Sequence, residues 1–300
     1  MISPVLLLIF SMTANLAGNI IRKYVTCYVR EDTVSGHIYN GLSSLTAAIL
    51  LLCINGFNGI SVFTLLLGIL FGIITALQQL ANLQALKSGP MSYTTVICSL
   101  STLIPTLCGA VIWNEKLYTA HWIGIALLLG CFLLSVEKEH AQQKKTIRWL
   151  LYCGAAFICT GCIGVMQKWH QSTIYREELN AFLIIAFVFS TLYSIAGLFI
   201  CRKKTTRTYD TAPGFYGFNV IMLVLVAAAG FCAALNNKWN MYLSGIMDSA
   251  VFFPLVNGGG LVLTTISAVL FFREKLSLRQ WFGMLLGVLS VICLCNPFST

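Results

Sequence analysis

The amino-acid sequence predicts an all-α membrane protein with ten transmembrane helices arranged as two inverted five-helix repeats. Three observations support this prediction. Apolar residues make up 58% of the 300-residue chain and charged residues only 10%, whereas a soluble globule has about a quarter charged residues. The apolar residues fall into ten long runs, and a short frame of residues occurs twice, once in each half of the chain.

The ten apolar runs have the length of membrane spans. A helix needs about 20 apolar residues to cross about 30 Å of hydrocarbon, and charges and turn clusters divide the chain at about this interval. Backbone polar groups in lipid must be paired within the protein, so runs this long predict helices. The predicted spans are Ile2–Tyr24, Ser35–Ile54, Ser61–Leu86, Pro90–Trp113, Tyr118–Val136, Trp149–Trp169, Asn180–Cys201, Phe218–Tyr242, Ser249–Phe272 and Ser277–Cys295.

The repeated frame is E-K-L, four residues, W, one residue, G. It begins at Glu115 and again at Glu274, which is 159 residues later. The duplication predicts a first repeat over residues 1–136, a polar linker over 137–148 and a second repeat over 149–300. Five spans is an odd number, so the second copy enters the membrane from the opposite face. The repeats are therefore expected to be inverted, as in alternating-access carriers.

A carrier site is expected near the bilayer midplane between the repeats, lined by polar side chains. The spans contain such side chains, several of them spaced i, i+4 on one helical face. The candidate substrate-binding residues are Asn15, Asn19, Gln78, Gln79, Asn82, Tyr93, Thr160, Asn236, Asn237, Lys238, Trp239, Asn240 and Asn257. Amides both donate and accept hydrogen bonds, which suits a neutral or zwitterionic polar solute.

Each candidate also has a structural alternative. Amides inside spans commonly bond one helix to another, and Lys238 could extend along its helix to the membrane edge. Tyr93 and Trp239 could instead offer aromatic faces to a cation. The sequence leaves these alternatives open.

All ten acidic residues lie at span ends or in loops, so no carboxylate is expected at the centre of a span. Glu115 and Glu274 are predicted to lie in the first turn of the following helix, where a carboxylate stabilises free amide groups by about 0.3–1 kcal/mol. Structural roles are predicted for both glutamates and for Trp122, Trp281, Gly124, Gly283, Pro105 and Pro254.

Other functional classes find little support in the sequence. It contains no nucleotide-binding glycine loop, and its four histidines lie at span ends or in loops without metal-like spacing. We therefore expect no cofactor, no metal and no catalytic residue. The net charge of +9 comes from loops, which indicates contact with lipid headgroups rather than nucleic acid. The expected partners are a small-molecule substrate and membrane lipid.

The chain resembles the ten-span EamA-type carriers of the drug/metabolite transporter superfamily. The resemblance rests on the five-plus-five arrangement and on matching motifs in the two halves. These are the segment A-L-K-S-G-P at 85–90 with Pro105, Glu115 and Gly124, and then Ser249, Ala250, Pro254, Glu274 and Gly283. The stretch N-G-G-G at 257–260 departs from the family pattern. Relatives export amino acids and other metabolites, or move sugar phosphates, nucleotide sugars or choline.

The two arguments on orientation disagree. Connectors after odd-numbered spans hold 15 of the 19 basic residues, Arg22 among them, and the opposite face holds 4. The positive-inside rule then places both chain ends outside the cell. The family resemblance implies that both ends are cytoplasmic.

Together these observations predict a secondary-active transporter in the bacterial cytoplasmic membrane. It would export a small polar metabolite, such as an amino acid or related solute, by alternating access through a cavity between the repeats. Two alternatives remain at this stage. A membrane-embedded enzyme would need catalytic side chains that converge within the membrane, and a membrane receptor or scaffold would not need inverted repeats.

Overall fold

The structure is a computed structural model that describes residues 3–28, 33–55, 59–88, 94, 97–135, 147–204, 219–272 and 277–294. Over these residues it contains ten α-helices and two short 3₁₀ turns, and no strand. The helices are α1 (Pro4–Tyr28), α2 (Thr33–Asn55), α3 (Val62–Ser88), α4 (Leu103–Ile112), α5 (Thr119–Ser135), α6 (Ile147–Gln171), α7 (Leu179–Lys204), α8 (Val220–Ile246), α9 (Ser249–Phe272) and α10 (Leu278–Leu294). The prediction of an all-helical protein is confirmed.

Six helices have the length and composition of membrane spans. These six, α1, α2, α3, α6, α7 and α8, are long and apolar enough to cross a bilayer, and the described apolar stretches of the other four are shorter. Helix α1 continues to Tyr28, four residues beyond the predicted end of the first span. Arg22 lies inside this helix, as the predicted span Ile2–Tyr24 requires, and not in the connector to which the charge count assigned it.

Local side-chain bonds fix where several helices begin. At α1 the Leu6 N–H donates to the Ser3 hydroxyl at 3.3 Å. At α10, Ser277 and Gln280 form a capping box, in which the Ser277 N–H donates to Gln280 Oε1 at 2.8 Å and the Gln280 N–H donates to the Ser277 hydroxyl at 3.3 Å. Such caps satisfy N–H groups that have no partner within the helix.

Two residues with positive φ mark chain reversals. Gly59, in the turn predicted between the second and third spans, has a φ of 98°, a conformation that glycine adopts without a steric penalty. Asn114, which follows the C-cap residue Trp113 of α4, has a φ of 53°. Asparagine is one of the few other residues that tolerate this region, and here it ends the helix.

The chain divides into two compact units. The first consists of Met1–Leu80 and His170–Tyr242, and the second of Ala81–Trp169 and Leu243–Thr300. This division groups residues by contact, so each unit draws on both halves of the chain. The repeat boundaries at residues 136 and 149 remain a prediction, and the linker residues 137–146 lie outside the described part of the chain.

In the first unit, α2 and α7 pack through a row of buried polar side chains. Asn40 Nδ2 donates to the Ser194 hydroxyl at 2.7 Å, and the hydroxyls of Ser44 and Ser190 lie 3.1 Å apart. Because the α2 numbers rise while the α7 numbers fall, the two helices run antiparallel. These hydroxyls and the amide lock the register of the pair.

In the second unit, α5 and α10 also run antiparallel. The Ser290 hydroxyl donates to the Gly124 carbonyl oxygen at 2.7 Å near one end of the pair. At the other end Arg279 Nη2 donates to the Leu133 carbonyl oxygen at 3.0 Å. The glycines of the repeated frame lie in this contact, since Cβ atoms added at Gly124 and Gly283 would approach Leu294 and Leu134 to 2.7 and 3.0 Å.

Helix α3 packs against α7 in the first unit at a glycine with no room for a side chain. A Cβ added at Gly72 would lie 2.3 Å from the Ala186 carbonyl oxygen. We expect Gly72→Ala to lower the free energy of unfolding by about 1–3 kcal/mol, because the helix backbones must move apart. Thermal unfolding in detergent measures this change.

Gly154 of α6 provides the matched control for this substitution. A Cβ added there meets nothing within 4 Å, so Gly154→Ala should leave stability unchanged or raise it slightly through the better helix propensity of alanine. Equal melting temperatures for the two variants would contradict the close packing at Gly72.

Candidate functional site

The first unit contains a polar cavity of about 190 Å³. Helices α1, α2, α3 and α8 surround it, so three helices of the first predicted repeat and one of the second contribute side chains. The lining residues are Ala14, Asn15, Gly18, Asn19, Arg22, Tyr39, Ser43, Gln79, Ala229, Cys232, Ala233, Asn236 and Asn237. Five of the predicted substrate-binding amides are among them.

Helical periodicity explains how these residues come together. Asn15, Asn19 and Arg22 are spaced i, i+4 and i+7, and therefore follow one face of α1. On α8, Cys232 and Asn236 are likewise one helical turn apart. Small residues such as Gly18 on α1 leave space for the cavity. A Cβ added at Gly18 would make an ordinary van der Waals contact with Cys232 Cβ, at 3.6 Å.

Asn236 is held in place by a hydrogen-bond network that crosses from α1 to α8. The buried Ser11 hydroxyl lies within bonding distance of both Asn236 Oδ1, at 2.9 Å, and Asn240 Oδ1. Asn240 Nδ2 also donates to Asn236 Oδ1 at 3.2 Å. The Asn236 carbonyl oxygen is thus occupied, while its NH₂ group has no hydrogen-bond partner among the described residues. A fixed donor is therefore presented to the cavity.

The other lining amides bond locally or not at all. Asn19 Nδ2 donates to Asn15 Oδ1 at 3.4 Å, and Asn237 Nδ2 donates to the Ala233 carbonyl oxygen at 2.9 Å. Gln79 makes no hydrogen bond within the part of the chain that the structure describes. A solute can therefore bond to the Asn15 NH₂ group, the Asn237 side-chain oxygen and the whole Gln79 amide.

Arg22 and Tyr39 are lining residues that the sequence reasoning missed. The guanidinium carbon of Arg22 lies 5.7 Å from the centroid of the Tyr39 ring, a cation–π arrangement that holds the charge in one place. No carboxylate lies within ion-pair distance of Arg22 among the described residues. The i, i+4, i+7 spacing with Asn15 is the sequence signal that would have identified it.

Several predicted binding residues of the first unit lie away from the cavity lining. Gln78 and Lys238 are partly exposed on α3 and α8, next to lining residues in sequence. Trp239 packs against Phe10, with their ring centroids 5.8 Å apart. Asn240 bonds to Ser11 instead of facing the cavity. Of the seven predicted amides in the first unit, five line the cavity and two, Gln78 and Asn240, do not.

The predicted binding residues of the second unit bond to nearby groups. Thr160 donates to the Ala156 carbonyl oxygen at 2.7 Å, and Asn257, which is exposed, donates to the Phe253 carbonyl oxygen at 3.0 Å. Asn82 Oδ1 lies 3.8 Å from the Cys98 sulfur. Tyr93 lies outside the described residues.

Glu115 takes part in a buried ion pair in the second unit. Its carboxylate lies 2.8 Å from Lys168 Nζ, and the side chains of Lys168 and Glu115 are only 11% and 7% exposed. It also accepts the Ser249 N–H at 2.7 Å and the Ser249 hydroxyl at 3.2 Å. The prediction placed Glu115 in the first turn of its own following helix, but α5 begins only at Thr119. The carboxylate instead caps the start of α9.

The remaining frame residues are found at packing contacts or on the surface. Trp122 and Trp281 are 51% and 50% exposed, as expected for tryptophans at a membrane interface. Pro105 is buried, and a Cβ added at Gly164 would approach its ring to 2.9 Å. Pro254 is buried within α9, which continues past it. Glu274 lies outside the described residues.

Comparison with known proteins finds a family match over part of the chain. Residues 20–136 match the model of the EamA-like transporter family. This segment belongs to that family. The resemblance to the EamA-type carriers is thus confirmed for the part of the chain that runs from the last turns of α1 through α5. Four of the thirteen lining residues lie in this segment, namely Arg22, Tyr39, Ser43 and Gln79.

Two bacterial proteins are similar in sequence. An uncharacterized protein of Haemophilus influenzae is 23% identical over 199 residues, which cover 65% of this chain and 63% of that protein. A protein of Proteus mirabilis, a probable 4-amino-4-deoxy-L-arabinose-phosphoundecaprenol flippase subunit called ArnE, is 32% identical over 74 residues, which cover 23% of this chain and 66% of ArnE. The chain spans a little under two thirds of each relative.

A solved crystal structure shares the fold of the whole chain. It superposes with a TM-score of 0.73 and covers 99% of this chain and 97% of its own, at 14% sequence identity. The likeness shows that the two chains share their fold over both halves of this chain.

Proposed function

We propose that this protein is a secondary-active transporter that exports a small polar metabolite, such as an amino acid or a related solute, across the bacterial cytoplasmic membrane. The observation that carries the proposal is the cavity in the first unit, where apolar helices present unpaired amide groups. Polar groups inside membrane helices are costly when they have no partner. A polar solute in the cavity would supply the missing hydrogen bonds.

The directions of the helices support an inverted-repeat mechanism. In the proposed duplication, α2 corresponds to α7 and α5 corresponds to α10. Each of these pairs runs antiparallel within its own unit, and corresponding helices of inverted repeats run in opposite senses. Such repeats support alternating access, in which a site is exposed to one side of the membrane and then to the other.

The relatives support transport in a bacterial membrane. The matched family is a family of transporters, and both similar proteins come from bacteria. ArnE, by its name, is a subunit of a flippase, a protein that moves a polar group across a bilayer. We place lipid around the exposed apolar side chains of this chain and a small molecule in its cavity.

Uptake by liposomes that contain the purified protein tests the proposal. We expect a preloaded amino acid or related solute to accelerate entry of its labelled form, because a carrier returns faster when loaded than when empty. A concentration of solute about 100 times its Kd should also stabilise the folded protein by about 2.7 kcal/mol, measurable as a higher melting temperature. No uptake and no stabilisation with any polar metabolite class would contradict the proposal.

A further inference from the structure

We infer that the transported solute carries a carboxylate group, which binds Arg22 while the amides of the cavity bind the rest of the molecule. This inference rests on the proposed transport function, because it names the chemical class of the solute for the same cavity. Lys238 is the one charged residue among the candidates predicted from the sequence, which do not include Arg22.

Arg22 has the features of a binding group. It lines the cavity, and its guanidinium is held 5.7 Å from the centre of the Tyr39 ring. No acidic side chain is among the described lining residues, so the charge of Arg22 is not neutralised there. A positive charge in a polar cavity without a counter-ion favours an anion that brings the missing negative charge.

The number of charges selects a carboxylate over a phosphate. A guanidinium and a carboxylate each carry one charge and form two parallel hydrogen bonds. A phosphate monoester carries about 1.5 to 2 negative charges at neutral pH, and Arg22 is the one cation among the described lining residues. A single arginine therefore matches a carboxylate and leaves a phosphate partly uncompensated.

The distance between the two ends of the cavity agrees with a small acid. Arg22 is seven residues from Asn15 on α1, and a helix rises about 1.5 Å per residue, which separates the two positions by about 10 Å along the axis. The arginine side chain covers part of this distance, and an acid that binds Arg22 with its carboxylate needs a polar body that covers the rest. Its hydroxyl or amino groups then reach the amides of Asn15, Gln79 and Asn236.

A competing role for Arg22 is purely structural. The side chain could stabilise the contact of α1 with α2 through Tyr39, or bind a lipid headgroup at the end of the span. A structural role predicts lower stability for an Arg22 variant and equal loss of uptake for every solute. A binding role predicts a loss that depends on whether the solute has a carboxylate.

The test compares acids with their alcohols in liposomes that contain the purified protein. Amino acids and hydroxy acids are each paired with the analogue in which CH₂OH replaces the carboxylate. We expect the uptake efficiency of each transported acid to be about 10- to 100-fold above that of its alcohol. The alcohol lacks the carboxylate, so Arg22 loses one charged hydrogen-bonding partner. Arg22→Gln should abolish this preference, and Arg22→Lys, which keeps the charge without the planar fork, should reduce it.

Two further measurements keep the outcomes separate. Arg176→Gln is the matched control, because Arg176 is in the first unit, is 69% exposed and lies outside the cavity lining; it should keep the acid preference. If Arg22→Gln unfolds, the Arg22→Lys variant decides. Equal uptake of acids and alcohols, or an unchanged preference in the Arg22 variants, would overturn the inference and leave transport intact. Uptake of no member of the panel and of no other polar metabolite class would instead overturn the proposed function.

Discussion

Replacing Glu115 by alanine should lower the free energy of unfolding by about 3–5 kcal/mol, the usual cost of removing one partner of a buried ion pair. The variant leaves the Lys168 ammonium, whose side chain is 11% exposed, without its counter-ion. It also frees the Ser249 N–H at the start of α9, which the carboxylate accepts at 2.7 Å. Both losses act on the second unit.

Thermal or denaturant unfolding in detergent measures this effect. The double variant Glu115→Gln with Lys168→Met should recover much of the loss, because no buried charge then lacks a partner. Glu177→Gln provides the surface control, since that carboxylate is 88% exposed beside Arg176 and its loss should have no measurable effect.

Glu115 is expected to act in folding and not in transport. Uptake per folded molecule should therefore survive the milder Glu115→Gln substitution at a temperature where the variant remains folded. A folded Glu115→Gln protein that no longer transports would show that the carboxylate serves the transport cycle directly, contrary to its assignment as a cap and ion-pair partner.

Gln79→Leu should reduce uptake efficiency by about 10- to 100-fold, which corresponds to about 1–3 kcal/mol for a solute group left without its hydrogen-bond partner. Gln79 lines the cavity and bonds to no described residue, so its amide has no visible structural role. Leucine has a similar size and removes only the polar group.

Gln78→Leu is the matched control for this substitution. Gln78 is the preceding residue on the same helix, is similarly half-buried and is not part of the cavity lining. It should transport normally. Both variants should keep the melting temperature of the unsubstituted protein. Equal losses of uptake in the two variants, or a loss of stability that parallels the loss of uptake, would assign both amides to helix contacts.

The fold was largely predictable because the length and apolarity of the ten runs are enough to predict membrane helices. Each of the ten predicted spans corresponds to one of the ten described α-helices. The helix ends were harder to predict because side-chain caps set them. α1, for example, passes through Arg22 and Lys23 to Tyr28, since charged residues near a span end are compatible with a continuing helix.

The site was only partly predictable because periodicity places a residue on a helix face but does not say which neighbour that face meets. Asn15 and Asn236 line the same cavity. Asn240, one turn from Asn236, accepts a hydrogen bond from Ser11 and does not line the cavity. Arg22 was assigned to a connector on charge alone. Its spacing from Asn15 places it on the amide face of α1, but its contact with Tyr39 depends on the packing of α1 against α2, which no pattern within α1 could indicate.

Glu115 shows the same limit of prediction from sequence. The sequence correctly marked Glu115 as the end of one apolar run and the beginning of another, but its partners, Lys168 and Ser249, are 53 and 134 residues away in the chain. Neither separation carries a local signal. An ion pair of this kind is visible only once α6 and α9 have been placed.

The central claim is that the cavity of the first unit holds the transported solute, and Cys232 tests it most directly. This free cysteine lines the cavity. The chain has twelve cysteines, and the test uses a variant in which the eleven others are replaced. A small hydrophilic methanethiosulfonate reagent should then modify Cys232 and stop uptake. The transported solute should slow this modification. Complete modification of Cys232 that leaves uptake unchanged, with no protection by solute, would contradict the claim.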